Sequence, residues 1–219
     1  MGRWLKEHSL SLVVFGLFAV FLVGHSIAGF RHYNEQQQIH SQPEVTYAEY
    51  VTSGDFVESV FENWESEFLQ MGMYVFLTAF LYQKGSAESK KPYGKEAFDA
   101  EPRASKYAPW PVKRGGWVLK LYENSLSIIL LLMFLLSFWL HAAGGARATC
   151  EEDQVHGQTD CHTTTQYMHT SKFWYESFQN WQSEFLAVGA LVVLSIYFRQ
   201  KGSPESKPVN TPHNKTGAQ

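Results

Sequence analysis

The chain has 219 residues, a formal net charge of −3, 16% aromatic residues and two cysteines. So many aromatics exclude a disordered chain, two cysteines exclude a disulfide scaffold, and the small net charge offers no basis for nucleic-acid binding. The mean hydropathy of −0.24 would suit a soluble domain, but the apolar residues are far from evenly spread.

Ser9 to Phe30 is a run of 22 residues without Asp, Glu, Lys or Arg. At about 1.5 Å per residue a helix of that length reaches ~33 Å, enough for a hydrocarbon core of ~30 Å. Arg3, Lys6 and Ser26-Ile27-Ala28 give this stretch the look of a signal peptide. Its apolar run is long for one, however, and it matches an internal segment, so it reads as a retained span over about 9–30. The next apolar run, Phe68 to Tyr82, has 15 residues. With the preceding turn it becomes a second span over about 64–82, anchored at the interface by Trp64. A linker over 91–116 follows, rich in Pro, Gly and charge. Ser125 to Ala146 is a second uncharged run of 22 residues and the third span, about 125–146. The fourth, about 181–198, adds Trp181 and its turn to the 14 residues from Phe185 to Phe198. All eight prolines lie outside these runs, as uninterrupted helices require. Asp55 and Thr170 are the expected N-caps of helices that extend outward from spans two and four. Gly85 and Gly202, with Lys84 and Lys201, are expected to stop those helices at their other ends.

The two halves resemble each other. Phe-Glu-Asn-Trp-Glu-Ser-Glu-Phe-Leu at 61–69 matches Phe-Gln-Asn-Trp-Gln-Ser-Glu-Phe-Leu at 178–186 in seven of nine positions. Gln-Lys-Gly-Ser-Ala-Glu-Ser-Lys at 83–90 matches 200–207 in seven of eight, at the same offset of 117. His25, Gly29, Arg31 and Glu35 match His141, Gly145, Arg147 and Glu151 at an offset of 116. These matches predict an internal duplication. The expected fold is all-α, an integral membrane four-helix bundle of two tandem, parallel helical-hairpin repeats (1–90 and 117–207), with a disordered tail over 208–219.

Charge predicts the orientation. Residues 1–8, 83–124 and 199–219 hold 15 of the 18 Lys and Arg, whereas 31–67 and 146–184 hold 14 of the 21 Asp and Glu. The basic segments, including both termini, are therefore expected on the cytoplasmic side. Cys150 and Cys161 then fall in an outer loop, where a disulfide is expected. The chain lacks a Cys-x-x-Cys pair, which argues against a thiol–disulfide oxidoreductase.

No catalytic machinery is identifiable. The candidate polar or ion site is His25, Asn63 and Glu67 with their counterparts His141, Asn180 and Glu184. Asn63–Glu67 and Asn180–Glu184 each share a helix face at i, i+4. Arg31 and Arg147 are the candidate charge partners. Three readings follow. In the first, these groups fasten helices together in a structural or interaction protein, without cofactor or metal. In the second, His–Glu pairs carry a proton, an ion or a small solute. In the third, His25 and His141 ligate haem or another metal. The expected partners are the lipid bilayer and either a second copy of the chain (a homo-oligomer) or another membrane protein, not nucleic acid.

The doubled Asn-Trp-x-Ser-Glu-Phe-Leu, each followed by a span and Gln-Lys-Gly-Ser, resembles an uncharacterised family of bacterial four-helix membrane proteins, a domain of unknown function. The resemblance implies a multi-pass location in the bacterial inner membrane. It implies no activity.

Overall fold

The computed structural model describes residues 2–94, 96–157 and 160–217, and among them there is no strand. The helices are α1 (Arg3–Glu7), α2 (Ser9–Ile39), α3 (Tyr47–Tyr50), α4 (Gly54–Thr78), α5 (Trp110–Arg114), α6 (Gly116–Glu123), α7 (Ser125–Val155), α8 (Thr164–Tyr167) and α9 (Ser171–Tyr197). The all-α class is as the apolar patterning requires.

α2 and α7 are each 31 residues long. Both run about nine residues past the expected span ends, because Glu35-Gln36-Gln37-Gln38 and the segment after Gly145 contain no helix breaker. Both are apolar enough to cross a membrane, with a mean hydropathy of 2.3 over 18 residues. Only 6% and 17% of those stretches are buried, so their apolar side chains face outward instead of forming a core. α4 and α9 do not reach that hydropathy, since their first halves carry the Glu- and Asn-rich motif.

Three further helix boundaries shift, at both ends of α4 and at the end of α9. α4 begins at Gly54, and Ser53 caps it by accepting the amide of Phe56 at 3.2 Å. Asp55 therefore lies in the first turn and not at the cap. α4 ends at Thr78, so Gly85 does not stop it. Gly85 and Gly202 instead hold φ of 90° and 86° in matched loops beyond α4 and α9. Each loop is closed by the same serine bonds. The Gln83 and Gln200 amides donate to Ser89 and Ser206 Oγ at 2.9 Å, and the Glu88 and Glu205 amides donate to Ser86 and Ser203 Oγ at 3.1 and 3.2 Å.

The compact units do not follow the two sequence halves. One unit joins Met1–Phe61 to Leu140–Thr170, and the other joins Glu62–Trp139 to Ser171–Gln219. In the first unit, the start of α4 lies directly on α7. A Cβ on Gly54 would meet the Gly144 carbonyl oxygen at 2.8 Å, and one on Gly144 would meet Glu58 Cα at 2.9 Å. Small residues are what permit two helix backbones to approach this closely.

In the second unit, the segment expected to be a disordered tail is held along its described part, 208–217. Lys207, 1% exposed, donates from Nζ to the carbonyls of Gly85, His213 (3.0 Å) and Lys215 (2.9 Å). Thr216 Oγ1 accepts the Gly85 amide at 2.9 Å, and the Gly217 amide donates to the Ser86 carbonyl at 2.9 Å. Composition suggested disorder because the segment is short of apolar residues. It is ordered instead by an ammonium whose donors meet backbone acceptors. Residues 218 and 219 lie outside the described residues.

Gly144→Leu is expected to force α4 and α7 apart and cost about 2–4 kcal/mol. Unfolding by dodecyl sulfate titration in mixed micelles measures it, and Gly24→Leu, at a helical position with open space beside it, serves as the reference.

Candidate functional site

In the first unit two short capped helices deliver tyrosines to glycines. Thr46 and Glu49 form a capping box around α3, and Thr163 and Gln166 form the same box around α8. These turns place Tyr50 and Tyr167, each 1% exposed, against Gly29 and Gly145. A Cβ at either glycine would collide with the tyrosine ring. The same contact is thus made once in each sequence half.

The polar groups around these contacts pair off. Tyr47 and Ser26 share a hydroxyl–hydroxyl bond of 2.7 Å. Tyr33 donates to Glu151 at 3.4 Å, and Arg147 donates to the Thr52 carbonyl at 3.0 Å. Arg147 therefore holds backbone, not the carboxylate expected of it, and Arg31 is exposed. His25 is also exposed, with Nε2 3.1 Å from Ser59 Oγ and its ring edge-on to Phe56. His141 is fully buried. Its ring nitrogen comes within 4.8 Å of a Glu58 carboxylate oxygen, and Tyr167 donates to Glu58 at 2.8 Å. The unit thus contains a carboxylate, an imidazole and a phenol, all removed from water. Cys150 and Cys161 are joined as a disulfide, with Cα atoms 4.9 Å apart.

The second unit contains the repeated Asn-Trp motif. Here the structure differs from the expected site. Asn63 and Glu67 share a face of α4, but it is the exposed one. The buried carboxylate is Glu65, at 0% exposure, with Ser66 at 2% and Gln70 at 7% beside it. Glu62, Glu65, Ser66 and Gln70 follow the i, i+3, i+4 spacing of a single stripe. Asn180 donates to Glu62, Trp181 Nε1 donates to Glu65 at 3.2 Å, and Gln70 donates to the Glu184 backbone carbonyl at 2.7 Å. Trp181 is thus a hydrogen-bond donor as well as an expected interface anchor. It also packs against Phe134, Trp174 and Phe178. Trp64 is half-buried on α4.

The carboxylates of this stripe come from the two mismatched positions of the motif, not from the matched ones. Glu62 and Glu65 stand where the second half has Gln179 and Gln182. An acid in one half facing an amide or indole from the other was the signal that could have found them.

Residues 1–218 match the family described as a domain of unknown function (DUF6766), and the chain belongs to that family. No curated protein and no solved structure matches it.

Tyr50 gives a pH test. Burial first, then the negative charge of Asp55, pushes its phenol up from 10.0 to about 12. The folded state thus favours the protonated phenol. That contribution to stability is full below pH 10 and lost as pH rises through about 12. The difference in phenolate absorbance between the parent chain and Tyr50→Phe is expected to titrate near 12, and a midpoint near 10 would contradict the burial.

Proposed function

We propose that this member of the DUF6766 family is a multi-pass bacterial inner-membrane protein, a four-helix bundle in which α2, α4, α7 and α9 each cross the bilayer. Its termini face the cytoplasm, and its role is structural or interactive, not catalytic. The observation that carries this reading is the exposure of α2 and α7, two long apolar helices whose side chains are left outside the protein's own packing. In water such surfaces would aggregate, whereas in lipid they are solvated. α4 and α9, at 25 and 27 residues, are long enough to cross at about 1.5 Å per residue. Their polar halves are tolerable because Glu62, Glu65 and Gln70 all have partners. The matched capping boxes, glycine–tyrosine contacts and Gln-Lys-Gly-Ser loops support an internal duplication, with both halves inserted in the same direction. Paired polar groups that fasten helices fit a scaffold, either self-assembling or holding a membrane partner.

The buried Glu58, His141 and Tyr167 favour a second reading, the handling of a proton or cation near the outer face. A carboxylate and an imidazole away from water are costly to keep, and in membrane proteins such groups often mark proton or ion sites. Proteoliposomes loaded with a pH-sensitive dye distinguish the two. Under the scaffold reading, flux is at the level of empty liposomes and Glu58→Gln changes nothing.

Single cysteines at Gln37 and Ser105, placed in a Cys150→Ser, Cys161→Ser background, test the topology in intact cells. A membrane-impermeant maleimide is expected to label position 37 at once and position 105 only after permeabilisation. Labelling of position 105 in intact cells would overturn the orientation.

A further inference from the structure

In the first unit the C-terminal ends of α2 and α7 bring two histidines together. His40 directly follows α2 and His156 directly follows α7. Their ring centroids are 5.7 Å apart and the rings meet edge to face. His156 stands 116 residues after His40, the offset that relates His25 to His141, so each sequence half supplies one ring from the same register position. Both positions are pinned. The chain turns after His40 at Ser41, with φ 57°, and Asn34 holds the returning Val45 backbone by two hydrogen bonds of 2.8 and 3.1 Å. His156 lies inside the loop closed by the Cys150–Cys161 disulfide. Its Nδ1 is 2.9 Å from the Glu152 carbonyl oxygen. A carbonyl only accepts, so Nδ1 carries the hydrogen, and in the neutral ring the lone pair is on Nε2. A metal-ligating imidazole has this same arrangement, with its other ring nitrogen donating to a carbonyl or carboxylate.

We propose that His40 and His156 are the protein ligands of a divalent transition-metal ion such as Zn²⁺, which clips the ends of α2 and α7 together. Two imidazoles on one tetrahedral Zn²⁺, with Zn–N of about 2.0 Å, place their ring centroids roughly 5 Å apart. The observed separation needs only a small swing of two exposed rings to reach that geometry. Imidazole suits Zn²⁺, Cu²⁺ and Ni²⁺, whereas Mg²⁺ and Ca²⁺ require oxygen donors. The disulfide removes the chain's two thiols from the donor set, and water completes the coordination at this exposed position. Local charge also favours a cation. The negative ends of two helix dipoles converge there, and segments 32–61 and 148–170 contain nine Asp or Glu and neither Lys nor Arg. The ion would join the two sequence halves at equivalent residues and stabilise the folded chain by mass action.

The test uses the full-length chain, purified in detergent without a histidine tag and stripped of metal with a chelator. Zn²⁺ titrated by calorimetry is expected to bind saturably at one equivalent. His40→Ala and His156→Ala should each weaken binding at least tenfold. His32→Ala and His169→Ala, at exposed positions of the same unit, should leave it unchanged. Cu²⁺ bound in place of Zn²⁺ counts the ligands in the parent chain, so the test does not depend on a variant folding. Its electron paramagnetic resonance spectrum is expected to show coupling to two imidazole nitrogens, and to one in His40→Ala. The proposal is overturned by the absence of saturable Zn²⁺ binding, by binding insensitive to either single variant, or by a loss in His32→Ala as large as in His40→Ala. Coupling of Cu²⁺ to fewer than two imidazoles in the parent chain overturns it as well.

Discussion

A carboxylate taken out of water must meet a hydrogen-bond donor, and α4 is arranged around that requirement. Glu58 and Glu65 are 8% and 0% exposed and lie seven residues apart on one stripe of the helix. Tyr167 serves the first and the Trp181 indole serves the second. Each donor comes from the other half of the sequence, so each bond ties distant segments together. An apolar replacement would cost less solvation and would carry no register information. A buried acid matched to a donor on another segment disfavours a helix slid by one turn.

In the first unit, close backbone approach accompanies the Glu58–Tyr167 bond. Gly54 and Gly144 let the start of α4 lie on α7, and Gly29 and Gly145 leave room for the Tyr50 and Tyr167 rings. The capping boxes at Thr46 and Thr163 then aim the tyrosines. Sterics and capping therefore agree with one another in both halves. That agreement relates geometry as well as letters.

Much of this was legible in the residues. The uncharged runs mark the apolar parts of α2 and α7, though not the nine or so residues by which each helix runs on. The Asn-Trp motif marked α4 and α9 as matching segments of the two halves. What was not legible was which face of α4 turns inward, because Asn63–Glu67 and Glu62–Glu65–Ser66 both satisfy helical spacing and only packing chooses between them. The tail over 208–217 was illegible for another reason. Its order depends on Lys207, which in sequence is one basic residue among many. The Gly29–Tyr50 contact joins residues with no local signal between them.

Acid–donor pairs thus tie segments from the two sequence halves together, and Glu65, at 0% exposure, is the more buried of the two acids. A double-mutant cycle with Glu65→Leu and Trp181→Phe, read by dodecyl sulfate unfolding of the full chain, tests this directly. The account predicts a coupling energy of about 1 kcal/mol or more between the two positions. Strictly additive losses, with coupling below ~0.3 kcal/mol, would contradict it.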